Sequence, residues 1–443
     1  MKKLALIFVF NLFSLSSLMP LDFDGIFQVD YYGLIDPSTF YESERIRITV
    51  VPELKGKSKS KVVDFHLSGI FYLQPVGEPQ VIDLERIIRE AYLGFHYSIF
   101  DINLGQKFVN WGKVDILSPL NVVNHSDTTV LSTDNLLEAS LPDLLTQIQI
   151  YPLDNFNIEI IYVPFLQPNI YEIEEIRIEQ TFTLGTQQYN VDAAFIDREI
   201  PLFSEWAHSL YVAANYTSYL FDLIVSYSYY VDNNLDFDLS EIKETIVGTT
   251  HTITGTAYPG YNRVHNIGLG VSFYVGNLLF SADSAMKITR DWEGSVIEIK
   301  NSELFSALQV ERMFRNRVRG HLNLYHHYVF NYDTPIQSPY SPLIQNYILV
   351  VVDDYLLQKP QSQFYFLLHL DTHFFREKLL LGANLIYGYT EKGYYLVPRV
   401  TYKVSDHINL SAGADIWMKG DIESFLGRNE SRDNFFIRAQ YAW

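Results

Sequence analysis

The feature that most constrains this chain is a two-residue alternation of apolar and polar side chains that recurs along its whole length. In Arg45-Ile46-Arg47-Ile48-Thr49-Val50 the even positions are apolar and the odd ones polar. The runs Asn266-Ile267-Gly268-Leu269-Gly270-Val271-Ser272-Phe273 and His407-Ile408-Asn409-Leu410-Ser411-Ala412 repeat it. This is the period of a β-strand whose two faces meet different surroundings. Eighteen segments carry the pattern, the first at 25–33 and the last at 434–443. After residue 20 no apolar run is long enough for a membrane helix.

The connections between these segments sort by parity. Links after strands 4, 6, 8, 10, 12, 14 and 16 are tight, among them Asp154-Asn155, Gly276 and Ser405-Asp406. Most links after odd strands are long, at 111–143, 165–206, 231–263 and 329–360. The link from Leu54 to Lys61 is looser but polar, and Thr390-Glu391-Lys392 is a tight exception. Short periplasmic turns alternating with longer external loops are the habit of outer-membrane barrels, and a soluble sandwich has no reason to follow it. The expected fold is all-β, a transmembrane antiparallel β-barrel of about 18 strands, with 16 as the alternative.

Ahead of the first strand, Met1-Lys2-Lys3 precedes an apolar stretch broken only by Asn11 and followed by Ser14, Ser16 and Ser17. This is the pattern of a secretory signal peptide, and the run is too short to span a bilayer as a helix. Residues 1–20 are read as the leader, with cleavage between Ser16 and Leu21, and 21–443 as one barrel domain. Thirty-three Lys and Arg stand against 52 Asp and Glu, a net charge of −19, with no basic cluster beyond the start, so nucleic acid is excluded as a partner. The absence of Cys excludes disulfides, thiolate metal sites and lipidation at an amino-terminal Cys.

Parity also assigns the faces. Ile46, Ile48, Phe95, Leu223, Val225, Leu269, Val271, Phe364 and Leu410 share one face of their strands. Arg45, Arg47, His96, Asp222, Asn266, Ser272, Tyr365 and Asn409 share the other. In a membrane the apolar set must face lipid and the polar set a wet interior. Tyr97, Tyr216, Tyr229, Phe273 and Tyr402 lie near strand ends, where an interfacial aromatic girdle belongs.

Two segments resemble known families. The chain ends Phe435-Phe436-Ile437-Arg438-Ala439-Gln440-Tyr441-Ala442-Trp443. With Phe435, Ile437, Tyr441 and Trp443 in alternation, it resembles the carboxy-terminal signal that the barrel assembly machinery recognises, in which the last residue is most often Phe. The second is Gly105-Gln106-Lys107-Phe108-Val109-Asn110-Trp111-Gly112, followed by Pro119-Leu120-Asn121-Val122-Val123-Asn124-His125-Ser126-Asp127. It is similar to the strand and inward loop of a porin-like family, with Gln106-Lys107 in inverted order and His125 in place of Pro. Eighteen-stranded substrate-specific and alginate-export porins are similar in strand count alone. The resemblance implies a passive outer-membrane channel whose third external loop, 111–143, folds inward. Gly112, Pro119 and Pro142 interrupt regular structure there, and Asn121, Asn124, Asp127 and Asp134 suit turns, which fits either a constriction or a loop over the rim.

Inside such a barrel, Arg45, Arg47, Arg399, Lys403 and Arg438 share inward parity, and closure of strand 18 on strand 1 makes them one basic wall. Asp64, Glu90, Asp222 and Asp283 are the acidic groups available to face it across a transverse field. His321, Tyr325 and His327 on one strand and His369, Asp371 and His373 on the next also point inward. They suit a wet polar ladder, and a metal site would need a register the sequence does not give, so no metal is assigned. The acidic stretches Glu172-Ile173-Glu174-Glu175 and Asp232 to Glu244 are read as external, either as solvated loops or as binders of divalent cations that bridge lipid headgroups.

No His-Glu-x-x-His, Gly-x-Ser-x-Gly or phosphate loop is present, so no catalytic residue and no cofactor is assigned, and the chain is read as a non-enzyme. The expected function is passive diffusion of small hydrophilic solutes or ions across the bacterial outer membrane, with weak cation preference from the acidic excess. The lining or constriction residues are Arg45, Arg47, Lys107, Asn121, Asn124, Asp127, Arg399, Lys403 and Arg438. Its partners are outer-membrane lipid, the assembly machinery and the solutes themselves, and homo-oligomerisation is left open. The alternatives are a transporter of hydrophobic or lipidic substrates and an adhesive barrel that binds partners through its loops.

Overall fold

The computed structural model describes residues 20–34, 45–58, 60–76, 87–115, 117–127, 139–170, 176–196, 207–314, 317–337, 340, 361–418, 426 and 433–443. The leader, Asp134 and the stretch Glu172–Glu175 lie outside the described residues.

Eighteen strands form the body. In order they are β1 (Leu21–Leu34), β2 (Arg45–Lys57), β3 in two pieces (Val63–Gly69 and Phe71–Val76), β4 (Ile88–His96), β5 (Phe100–Lys107), β6 (Asp143–Leu153), β7 (Phe156–Val163), β8 (Ser209–Thr217) and β9 (Phe221–Val231). There follow β10 (Arg263–Val275), β11 (Leu278–Thr289), β12 (Glu303–Met313), β13 (Val318–Val329), β14 (Ser362–Phe374), β15 (Leu379–Gly388), β16 (Gly393–Lys403), β17 (Ile408–Met418) and β18 (Asn434–Ala442). Each pairs antiparallel with its neighbours in sequence, and β1 pairs with β18 from Ile26↔Ala442 to Leu34↔Asn434. The sheet is a closed cylinder with no free edge, so its backbone donors and acceptors are satisfied without water.

The outer surface carries the apolar belt that a bilayer requires. Val225, Leu269, Leu308, Leu322 and Ile437 point outward, each about half exposed. Tyr97, Tyr216, Phe273, Tyr402 and Tyr441 cluster towards the short-turn end, and Tyr162, Tyr229 and Tyr394 towards the other. Such an exterior is stable only against lipid, which makes this a membrane-spanning barrel. Among the described residues no helix is long and apolar enough to cross a membrane.

The inner surface departs from the simple polar rule in two sectors: Tyr395 and Val397 of β16 and Trp417 of β17 pack with Leu426, and a larger patch lies under the inward loop. Ile161, Ala213, Ile224, Val264 and Ala285 face inward yet are buried, because Val109, Trp111, Leu120 and Val123 pack on them. The apolar patch and the inward loop explain each other: apolar wall residues would face water if the loop lay over the rim.

Above the long-loop end stands a second sheet that the alternation alone does not reveal. The strands Ile176–Leu184, Gln187–Phe195, Lys243–Val247, Thr250–Gly260 and Asp236–Asp238 assemble into it, with Gln187–Phe195 parallel to Thr250–Gly260. Tyr189, Leu235, Phe237, Leu239, Ile253, Ala257, Ile297 and Tyr340, drawn from several loops, form its apolar core. The acidic stretch from Asp232 to Glu244 is therefore not a solvated run. Asp232 takes an ion pair from Lys287 at 2.9 Å, Asp236 accepts from Asn262 Nδ2 at 2.7 Å, and Glu244 pairs with His251 at 2.7 Å. Burial pushes the Asp236 carboxyl above its ordinary pKa, and Lys300 and the bond from Asn262 only partly oppose it.

Candidate functional site

The segment from Phe108 to Asp127 runs back into the barrel and is fastened to its wall. Its entry is set by Asn124, whose Oδ1 accepts from Val109 N at 2.7 Å and whose Nδ2 donates to Lys107 O at 3.2 Å. Asn121 Oδ1 accepts from Trp111 N at 2.9 Å and Gly112 N at 3.0 Å. These two side chains shape the loop's own backbone, so both of their carbonyl oxygens and the Asn124 amide nitrogen are spent on the turn. At the far end Asp127 N donates to Ala139 O at 2.6 Å, and Ser126 N donates to Asn169 Oδ1 at 2.7 Å, which ties this loop to the next external one. His125 pairs with Asp143, the first residue of β6, at 2.9 Å.

One wall carboxylate holds the middle of the loop. Asp283 on β11 accepts from Lys113 N at 2.8 Å, Val114 N at 2.9 Å and Ser118 Oγ at 2.6 Å, all through Oδ2. Beside it Gln309 on β12 receives Asp115 N at 3.0 Å and donates back to Asp115 Oδ2 at 2.9 Å. Asp283 was expected to face the basic wall, and the structure instead gives its carboxylate to the loop. Charged and polar groups on inward strand positions can be consumed by an infolded loop, which parity cannot register.

The loop needs a notch as well as a clasp. Gly268 and Gly270 are inward positions of β10, and Leu120 lies over both. A Cβ on Gly270 would stand 2.5 Å from Asp283 Oδ1, 2.7 Å from Ile224 Cγ2 and 2.8 Å from Leu120 Cδ1. Gly270→Val is therefore expected to weaken loop docking by about 1–3 kcal/mol, as overpacking does. The check is the rate of tryptic cleavage after Lys113 in the folded barrel. Gly382→Ala, where the nearest atoms are 3.7 and 3.9 Å away, should leave the rate unchanged.

The basic residues do not form one bare wall. Arg438 Nε meets Asp30 Oδ1 at 2.6 Å and Arg47 Nε meets Asp30 Oδ2 at 3.6 Å, with Asp30 fully buried between them on β1. Asp30 was not singled out from the sequence, although Gln28 and Asp30 alternate with Phe27, Val29 and Tyr31 and thereby show the inward face. Arg45 and Arg47 lie over the ring of Tyr32 at 4.5 and 5.8 Å. Arg399 is an inward position of β16, paired in register with Gly413. Lys403 sits at the short-turn end of β16, paired with Asp406 at 3.0 Å. Lys107 donates to Gln147 Oε1 at 2.8 Å, and Gln147 Nε2 donates to Glu159 Oε1 at 2.6 Å.

Further round the wall from the Asp30 cluster, β12, β13 and β14 carry histidines and acids. His327 pairs with Glu303 at 3.0 Å and lies flat on Phe305 at 4.0 Å between centroids. His369 meets Asp371 at 3.0 Å, and its ring is 4.6 Å from that of His321, its register partner. Arg319 holds Glu311 through two bonds of 2.7 and 3.1 Å. Side chains here reach water: Asp115 is 50% exposed and Arg319 39%.

No family model and no curated protein matches the chain. Among solved structures, Salmonella typhi OmpF in complex with daunomycin is similar over 96% of this chain and 98% of that one, with 11% identity and a TM-score of 0.46. A mutant porin of Rh. blastica is similar over 96% of this chain and 100% of that one, with 9% identity and a TM-score of 0.42. At this distance the similarity is one of overall outline.

Proposed function

We propose that the protein is a channel of the bacterial outer membrane for passive diffusion of small hydrophilic solutes or ions. One observation carries the reading: the infolded segment 108–127 presents its apolar side to the wall and its charged side, with Asp115, to an interior where Arg319 and Phe305 also meet water. A barrel with a wet interior and a loop clasped across part of it is built to pass polar solutes and to limit their size. The basic residues contribute less net positive charge than their number suggests, because Asp30 shares itself between two of them. Ion preference is therefore set by the acidic excess, and cations are favoured. The leader, export by it, and recognition of the last strand by the assembly machinery belong to the same proposal.

The test is single-channel conductance of the purified, folded protein in a planar bilayer under a salt gradient. Stable steps with a reversal potential on the cation side are expected. A heat-modifiable, correctly folded barrel without conductance would overturn the reading. It would shift weight to partner binding through the external sheet, whose turn exposes Ile246 at 57% and Val247 at 72%.

A further inference from the structure

We propose that Asp115, Glu311 and His321 form a binding site for a divalent transition-metal ion of zinc-like chemistry, in which the metal pins the infolded loop to the barrel wall. The three residues come from the loop, β12 and β13, and their ligand atoms all lie within 4.8 Å of one another. One imidazole nitrogen and two carboxylate oxygens are a mixed donor set that suits zinc and its first-row neighbours and not magnesium or calcium, which take oxygen alone.

His321 supplies the independent observation. It is only 5% exposed, and neither of its ring nitrogens has a hydrogen-bond partner, although Asp115 Oδ2 lies 3.9 Å from Nδ1. A buried imidazole with both nitrogens unused is costly, and a metal on one of them relieves part of that cost. The other wall histidines differ: His327 is engaged by Glu303, and His369 by Asp371 and Asn384. Access is open, because Asp115 is half exposed towards the interior while His321 closes the site from behind.

The same geometry names a competitor. Arg319 occupies both oxygens of Glu311 and stands 3.7 Å from Asp115 Oδ2, so the carboxylates already have a positive partner. Ligand atoms around a tetrahedral zinc sit about 3.4 Å apart for bonds of about 2.1 Å. Reaching that spacing requires side-chain rotations and release of one Glu311 oxygen by Arg319, whose 39% exposure leaves it room to turn into the interior. Metal and guanidinium therefore exclude each other, and the loop is held by the ion through Asp115.

The experiment is calorimetric titration of chelator-stripped, folded barrel in detergent with zinc chloride, with cobalt(II) absorption as the second readout. One equivalent is expected to bind in the unaltered protein. His321→Ala and Asp115→Asn are each expected to weaken it by about 100-fold or more. Arg319→Gln should tighten it, which separates the site from general loss of structure. His373→Ala, on β14 beside the cluster, should change nothing. Absence of a stoichiometric site, binding that survives both ligand substitutions, or weaker binding in Arg319→Gln would each overturn the assignment. The binding readout does not depend on whether the barrel conducts.

Discussion

Asp283→Ala is expected to release residues 108–127 from the barrel wall while the barrel itself stays folded. The carboxylate accepts two backbone N–H groups and one hydroxyl, and it is only 2% exposed. Hydrogen bonds to a charged acceptor contribute about 1.5–3 kcal/mol each, and donors left buried without partners add their own penalty. Because the three bonds share one oxygen they are not additive, and a loss of about 3–5 kcal/mol in loop docking is expected. The packing of Leu120 and Val123 on the wall opposes release, so the loop should sample detached states and not vanish from the interior altogether. Two readouts follow. Trypsin should cut after Lys113 in the folded, heat-modifiable barrel, and single-channel steps should become larger and noisier. Asp283→Asn keeps one acceptor of the same shape and should fall between the two. Unchanged cleavage and unchanged steps in Asp283→Ala would show that apolar packing and the Gln309 bonds to Asp115 hold the loop without this carboxylate.

How much of this was readable beforehand follows from where the physics is local. The strands were legible because a bilayer outside and water inside impose opposite demands on alternate residues, so each strand states its own orientation. The turns added a second, independent signal through their parity. All eighteen expected segments coincide with β1 to β18 to within a few residues, and the sixteen-stranded alternative falls away.

The site was less legible because its contacts join residues far apart in sequence. Parity placed Asp283 on the inward face, but nothing in a strand's own pattern says that a loop will spend its carboxylate. Gly268 and Gly270 were visible only as small residues in an alternating run, and their purpose appears when Leu120 is set against them. The external sheet was missed for a similar reason. Its central pairing, Gln187–Phe195 against Thr250–Gly260, joins two different loops. Yet Gly185-Thr186 and Gly248-Thr249 are two-residue hairpin links with glycine leading at φ of 62° and 64°, and that local signal was present to be read.

The second large effect concerns closure. Asp30→Ala is expected to cost about 3–5 kcal/mol, the range for breaking a buried ion pair by removing one partner. Asp30 lies on β1 between Arg47 of β2 and Arg438 of β18, with the two guanidinium groups only 15% and 13% exposed. Without it two like charges face each other across the strand where the sheet must join its own beginning. No other pair of neighbouring strands must find each other across the whole chain, so the seam has the largest loop-closure entropy to offset. The last strand thus carries two tasks on two faces. Phe435, Ile437, Tyr441 and Trp443 face outward, where the assembly signal is proposed to be read, while Arg438 faces inward and finds Asp30 once the seam meets. The measurement is the urea midpoint of the heat-modifiable band. Asp30→Ala should lower it clearly and Asp30→Asn by less. The double change Asp30→Ala with Arg438→Ala should cost less than the two single changes added, since each removes what the other leaves unpaired. A midpoint in Asp30→Ala equal to that of the unaltered protein would mean that the backbone ladder from Ile26↔Ala442 to Leu34↔Asn434 holds the seam unaided.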